Sequence, residues 1–93
     1  MINELLPQYI ELMPETLAEG ILYISMTYGA CSHLCPCGCK YEVYIPFGEA
    51  EYEWKLTTEF TEDDDFITLT PSLQNTFECK SHYYITKNKI IWC

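Results

Sequence analysis

Apolar and polar residues alternate along much of this chain, which is the pattern of short β-strands that bury one face in a core. The alternation is clearest at residues 41–46 and 52–58. Lys87-Asn88 is a two-residue turn signal between the last two apolar segments. The pattern predicts strands at residues 8–13, 21–26, 41–46, 52–58, 66–70, 83–86 and 89–92.

Helical periodicity is nearly missing from the chain. The helix candidate is residues 1–6, which Pro7 limits because proline cannot donate a backbone hydrogen bond. Short strands at this spacing predict a mainly β fold, either a small antiparallel sheet or a partial barrel. With 93 residues, the chain is expected to form one zinc-binding domain over residues 1–93. Its net stability should be about 5–14 kcal/mol, so a metal crosslink would contribute a large part of it.

The charge balance restricts the classes of partner. The formal net charge is −9, from 14 acidic residues and five lysines, with no arginine. Arginine is the usual bidentate ligand of phosphate and guanine, so this composition argues against nucleic acid and against anionic membranes. A basic protein partner fits better, although an acidic surface also keeps a small domain in solution.

The compartment follows from the apolar segments. The chain opens without a basic n-region, and no stretch approaches the roughly 20 apolar residues of a membrane span. We therefore expect a cytoplasmic protein, in which cysteines bind metal or do chemistry more often than they form disulfides. The acidic run at residues 62–65 is expected to be a solvated hairpin loop, because it lacks the glycine and distal glutamate of a calcium loop.

Two segments rich in cysteine and histidine, residues 31–39 and 79–82, carry the strongest chemical signal. Zinc takes four sulfur or nitrogen ligands in a tetrahedron. Pro36 and Gly38 favour a tight turn that presents neighbouring thiolates to one ion. The sequence predicts one zinc ion bound by four of six side chains: His33, Cys35, Cys37, Cys39, Cys79 and His82.

The residues leave several alternatives open. Cys37, Cys39 and Cys79 with one histidine are the preferred ligands, because binding of Cys35, Cys37 and Cys39 to a single ion would be crowded, although it is sterically possible. Cys31 and Cys93 are expected to lie outside the site. Buried apolar cysteines, disulfides and ordinary hydrogen-bonded histidines are the competing interpretations. Four protein ligands would make the zinc structural, whereas three would leave a coordinated water for hydrolysis.

The same segments resemble a family of bacterial and phage proteins over about residues 17–92. The specific motifs are His-Leu-Cys-x-Cys-Gly-Cys at residues 33–39 and Cys-x-Ser-His-Tyr at residues 79–83. The chain departs from the family at Lys40, where glycine is usual, and in the acidic loop around Asp64. Supporting positions are Gly20-Ile21-Leu22-Tyr23-Ile24-Ser25, Trp54-Lys55-Leu56, Pro71-Ser72 with Asn75, and Ile90-Ile91-Trp92.

The resemblance implies a role in ubiquitin-like conjugation. Genes of the family lie beside ubiquitin-like, E1-like and E2-like genes in antiphage operons. A member is therefore expected to have a protein partner, which would be ubiquitin-like, E1-like or E2-like. The resemblance leaves bacterial and phage origin equally open.

Two functions are compatible with these residues. The first is a peptidase that matures or removes the ubiquitin-like protein. The polar residues near the metal-binding segments, from which its catalytic residues could come, are Ser72, Asn75, Ser81 and His82. A histidine that zinc leaves free can activate a serine, although Pro71-Ser72 is also ordinary turn chemistry and no Gly-x-Ser-x-Gly elbow is present. The alternative is a non-catalytic, zinc-stabilised binding or adaptor module with an aromatic contact face. Gene neighbourhood favours the peptidase, and the residues alone favour the module.

Overall fold

The computed structural model describes residues 2–74 and 79–93, and all of their regular elements are β-strands. The strands form two four-stranded sheets, in the orders β1-β2-β3-β4 and β5-β6-β7-β8. They are β1 (Leu6–Tyr9), β2 (Ile21–Ser25), β3 (Ala30–Leu34), β4 (Glu42–Pro46), β5 (Lys55–Phe60), β6 (Asp65–Gln74), β7 (His82–Thr86) and β8 (Lys89–Trp92). The prediction of a mainly β fold is confirmed. The described part of the chain contains no helix with the length and apolarity of a membrane span.

Isolated bridges join the edges of the two sheets. Glu4 pairs with Lys89, which connects the start of the chain to β8, and Phe47 pairs with Trp54, which connects β4 to β5. Within the sheets, neighbouring strands are antiparallel except for β1, which runs parallel to β2. The two sheets thus approach the partial barrel that the sequence predicts.

The core lies between the two sheets, and both contribute side chains to it. Burying one branched or aromatic side chain stabilises a fold by about 1.5–3 kcal/mol, so these contacts hold the sheets face to face. The aliphatic residues that are at most 1% exposed include Leu22, Ile24, Ile45, Ile67, Leu69 and Ile85.

The expectation of a helix at residues 1–6 is wrong. Leu5 N donates to Asn88 O at 2.8 Å and Leu6 N donates to Gly20 O at 2.7 Å, so the segment is extended and bonds to neighbouring backbone. Leu5 is also 1% exposed and belongs to the core. Pro7 fits in β1 because an edge strand tolerates a missing N–H group.

Strand β3 escapes the alternation pattern because all five of its residues are buried. Two of them are polar, and each has a partner from another strand. Ser32 Oγ donates to the carbonyl of Val43 at 2.9 Å, and His33 Nε2 lies 2.7 Å from Tyr83 Oη. A strand that is buried on both faces shows no alternation of apolar and polar residues. The sequence therefore identified this segment by its cysteines and histidine and did not predict it as a strand.

Strand β6 is longer than the predicted segment at residues 66–70. Its register against β7 shifts between Leu69 and Leu73, which places two extra residues in β6 at a bulge-like irregularity. Ser72 lies inside this irregularity. Such distortions redirect side chains that would otherwise follow the regular pleat.

Two predicted turns are present. Lys87 and Asn88 both have positive φ, at 48° and 71°, as a two-residue hairpin turn of this kind requires. The acidic run begins in the turn between β5 and β6, where Thr61 N donates to Asp64 O at 2.9 Å.

Candidate functional site

A tight loop between β3 and β4 carries three cysteines. Cys35 N donates to Tyr41 O at 2.8 Å and Gly38 N donates to Cys35 O at 3.2 Å, which folds the loop back on itself. Gly38 has φ of 99°, a conformation that is strained for residues with a Cβ atom. The loop therefore turns sharply enough to bring the thiols of Cys35, Cys37 and Cys39 to one side.

A fourth cysteine reaches this loop from the other sheet. Cys79 lies just before β7, and its Sγ is 3.7 Å from Cys35 Sγ. Cys35 Sγ is also 3.4 Å from Cys37 Sγ. The Sγ atoms of Cys35, Cys37, Cys39 and Cys79 all lie within 4.8 Å of one another. We call these four residues the cysteine cluster.

The geometry of the cysteine cluster fits a tetrahedral metal ion. Sulfur ligands at about 2.3 Å from zinc in a tetrahedron lie about 3.8 Å from one another. The observed separations of 3.4 Å and 3.7 Å lie slightly below that value, and the upper limit of 4.8 Å lies above it, so only small side-chain shifts are needed. The four cysteines can therefore hold a metal ion.

Ser81 supports the cysteine cluster. It is 7% exposed, and its Oγ lies 3.5 Å from Cys35 Sγ and 3.4 Å from Cys79 Sγ. Its hydrogen bond is also the main cause that lowers the pKa of Cys37 to about 6, since a donated hydrogen bond favours the thiolate. A low pKa favours metal binding because the thiolate is the form that binds metal.

His33 lies apart from the cysteine cluster, in the contact between the two sheets. Its ring is fully buried, and Nε2 is 2.7 Å from the hydroxyl of Tyr83 on β7. Burial lowers the pKa of His33 to about 4, so the ring is neutral at neutral pH. Among the described residues, His33 Nδ1 has no hydrogen-bond partner. The side chain thus connects β3 to β7.

His82 forms a pair with a serine. Its Nε2 lies 2.8 Å from Ser72 Oγ, and both residues are half-buried. Gln74 is directly opposite His82, so Ser72 is the diagonal neighbour of His82 on the same face of the sheet. Cys93, the residue after β8, donates its N–H to His82 O at 3.0 Å and holds the backbone of the histidine. Serine and histidine at this distance form the geometry of a nucleophile beside its base.

A tryptophan holds the irregular segment that carries Ser72. Trp54 Nε1 donates to the carbonyl of Pro71 at 3.0 Å, and Pro71 is the residue directly before Ser72. Register shifts leave backbone groups outside the regular ladder, and this bond provides a partner for one of them. Sequence reasoning missed this contact, because Trp54 is 17 residues from Pro71 and its pattern indicates only a strand.

The six predicted zinc ligands therefore lie in two kinds of environment. The structure gathers four of them in the cysteine cluster, and it places His33 against Tyr83 and His82 against Ser72. The choice of four ligands from the six stays a prediction. Cys31 is buried in the core and Cys93 is exposed, both outside the cluster. Asn75, one of the polar residues that the sequence offered for catalysis, lies outside the described residues.

One protein-family model matches this chain, over residues 9–93. Its description is "Bacterial ubiquitination-like system serine protease (BubE)". The match confirms the resemblance found in the sequence, which also pointed to a ubiquitin-like system in bacteria. Comparison with curated proteins and with solved structures gives no significant match.

Proposed function

Because the chain belongs to the BubE family of bacterial ubiquitination-like system serine proteases, we propose that it is a serine peptidase with Ser72 as nucleophile and His82 as general base. The observation that supports this proposal is the 2.8 Å contact between Ser72 Oγ and His82 Nε2 on an accessible sheet face. A serine hydroxyl is weakly nucleophilic unless a base accepts its proton, and a histidine at hydrogen-bond distance is the most frequent base.

The reaction divides into acylation and deacylation. With His82 protonated at Nδ1, its Nε2 accepts the Ser72 proton while Oγ attacks the carbonyl carbon of the scissile amide and the carbonyl electrons move to oxygen. The tetrahedral intermediate collapses, the C–N bond breaks, and the leaving amine takes the proton from His82. Water then attacks the Ser72 ester, His82 accepts a proton from the water, and collapse returns this proton to Ser72 Oγ as the carboxylate leaves.

The cysteine cluster would have a structural role and would take no part in the chemical steps. Cys35, Cys37, Cys39 and Cys79 suit zinc, and four protein thiolates occupy all positions of a tetrahedral ion. Zinc in such a site stabilises the fold and connects the loop after β3 to the start of β7. Because His82 follows Cys79 by three residues, the ion would fix the strand that carries the base.

The proposed substrate is an amide bond formed by a ubiquitin-like protein of the same system. The description of the family supports a protein substrate within a ubiquitination-like system. The alternative of a non-catalytic adaptor does not require Ser72 to meet His82. Their hydrogen bond therefore favours the peptidase.

The first test is covalent labelling of the purified, zinc-loaded protein with a fluorophosphonate probe. Ser72 Oγ is expected to attack phosphorus and release fluoride, which mass spectrometry locates on the Ser72 peptide. Ser72→Ala should abolish labelling, and His82→Gln should slow it by at least about 100-fold, as loss of a general base does. Thr86→Ala is the matched control, because Thr86 is exposed on the same strand without touching the pair.

The second test is cleavage of a fusion in which the ubiquitin-like protein of the system is joined through its C-terminus to a reporter. The wild-type protein should release the reporter, and Ser72→Ala should leave the fusion intact. Labelling of Ser72 without cleavage of the fusion would contradict the substrate while leaving the serine chemistry standing. Absence of both would contradict the peptidase.

A further inference from the structure

Two large apolar side chains are exposed beside the serine–histidine pair. Tyr84 on β7 is 43% exposed and Ile91 on β8 is 48% exposed. They are directly opposite each other in the β7–β8 ladder. The next pair on that face is Thr86 with Lys89, which is polar. The apolar surface of Tyr84 and Ile91 is therefore bounded on one side by this polar pair and on the other by the Ser72–His82 pair.

The strand geometry places this apolar pair on the same face as His82. Tyr84 follows His82 by two positions, so both side chains point to the outer face of the sheet, about 7 Å apart along β7. The burial pattern of β7 agrees, because Tyr83 and Ile85 between and after them are buried. Ile91 extends the apolar surface onto β8.

We infer that Tyr84 and Ile91 form the subsite for a large apolar side chain of the substrate, adjacent to the scissile bond. The inference rests on the proposed peptidase and specifies its substrate class. Tyr84 lies on β7, the strand next to the one that carries Ser72, and Ile91 lies one strand further on β8. A large side chain beside a carbonyl carbon held at Ser72 Oγ can therefore extend across β7 onto this apolar surface. Apolar area on both partners is then removed from water, which favours binding. The surface is continuous with the reactive pair, so its occupant is the substrate itself.

A series of small esters tests this inference. N-acetyl amino acid p-nitrophenyl esters of alanine, leucine, phenylalanine and aspartate differ only in the side chain that would meet Tyr84 and Ile91. The wild-type protein should hydrolyse the leucine and phenylalanine esters with kcat/KM about 10- to 100-fold above that of the alanine ester, and the aspartate ester most slowly. Apolar subsites of this size give discrimination of that order.

Variants show whether these two residues cause the preference. Threonine favours β-strands, as tyrosine and isoleucine do, so Tyr84→Thr and Ile91→Thr remove most of the apolar surface while leaving a strand-forming residue at each position. Each should reduce the leucine-to-alanine ratio of kcat/KM at least about 5-fold, because the lost contacts are those made by the larger side chain. Thr86→Ala is the control and should keep the wild-type ratio.

The results separate this inference from the proposed function. Equal rates for all four esters, or an unchanged ratio in both variants, would overturn the apolar subsite while Ser72 labelling still supported the peptidase. A protein that hydrolyses no ester and is not labelled at Ser72 would overturn the peptidase and the subsite together. A ratio that falls in the variants while Ser72 labelling continues supports both.

Discussion

Replacing Cys79 by serine should destabilise the fold more than replacing a cysteine of the β3–β4 loop. Cys79 is 44 positions from Cys35 along the chain, and it is the member of the cysteine cluster that comes from the other sheet. Cys79→Ser therefore removes the crosslink between remote segments, even if the remaining thiolates still bind the ion. Cys37→Ser removes one ligand but leaves Cys35 and Cys39 connected to Cys79.

The chain-entropy model gives the magnitude. Closing a loop of 44 residues restricts the unfolded chain by an entropy worth about 4 kcal/mol at 25 °C. This is a large part of a net stability of about 5–14 kcal/mol. For a chain of this size, a loss of about 4 kcal/mol lowers Tm by roughly 15–30 °C. Cys37→Ser weakens zinc binding, but in excess zinc it should cost clearly less.

Urea unfolding followed by circular dichroism, with zinc in excess and a non-thiol reductant present, measures the difference. Cys93→Ser is the matched control, because Cys93 is exposed and lies outside the cysteine cluster. It should leave the free energy of unfolding within about 0.5 kcal/mol of the wild type. Equal losses for Cys79→Ser and Cys37→Ser in saturating zinc would refute a crosslink between the sheets.

Further predictions concern the groups around the two sites. Trp54→Phe keeps the ring but removes the hydrogen bond to Pro71, so fluorophosphonate labelling should slow about 3- to 10-fold, as expected for a bond worth about 0.5–1.5 kcal/mol; an unchanged rate would contradict a positioning role. Ser81→Ala removes the hydroxyl beside the thiol of Cys79, so competition with a chelator should show zinc affinity about 10- to 100-fold weaker, as second-shell changes usually do. Burial raises the pKa of Cys31 to about 12, so the folded state keeps its proton between pH 9 and 12 while the unfolded state loses it. The contribution of this thiol to the free energy of unfolding is therefore fully present below pH 9 and decreases as the pH rises, by about 2 kcal/mol at pH 10.5. Urea unfolding at several pH values should show that the free energy of unfolding falls more steeply with pH for the wild type than for Cys31→Ala.

The fold was predictable where one strand face meets water. The segment at residues 89–92 matches β8, because its residues alternate between core and solvent. Strand β3 was not predictable in this way, because it is buried on both faces and contains Ser32 and His33. The start of the chain was misassigned because Pro7 suggests a helix end, whereas parallel pairing with β2 makes it part of an edge strand.

The candidate site was predictable in part. Three cysteines concentrated at residues 35–39, with Cys79 far along the chain, indicate a set of metal ligands whatever the fold. The choice between histidine and Cys35 as a ligand depends on where β7 lies against β3, which only the three-dimensional structure gives. Ser81 illustrates the same limit. The sequence offered it as one of the polar residues for catalysis by a peptidase, whereas in the structure its hydroxyl lies against the thiols of Cys35 and Cys79.

The pleat of one short segment explains how the cysteine cluster and the Ser72–His82 pair both contact the residues around the start of β7 without sharing a side chain. In the segment that leads into β7, Ser81 and Tyr83 are buried and meet the cysteine cluster and His33, whereas His82 and Tyr84 lie on the outer face. Alternation places structural groups on one side of the backbone and chemical groups on the other. The outer groups need a rigid backbone, because a histidine that moves by about 1 Å loses much of its value as a base. A 93-residue chain has few core residues with which to fix a strand end. A metal ion on Cys79 and a hydrogen bond between His33 and Tyr83 would fix this strand from its inner side and so hold the base against Ser72.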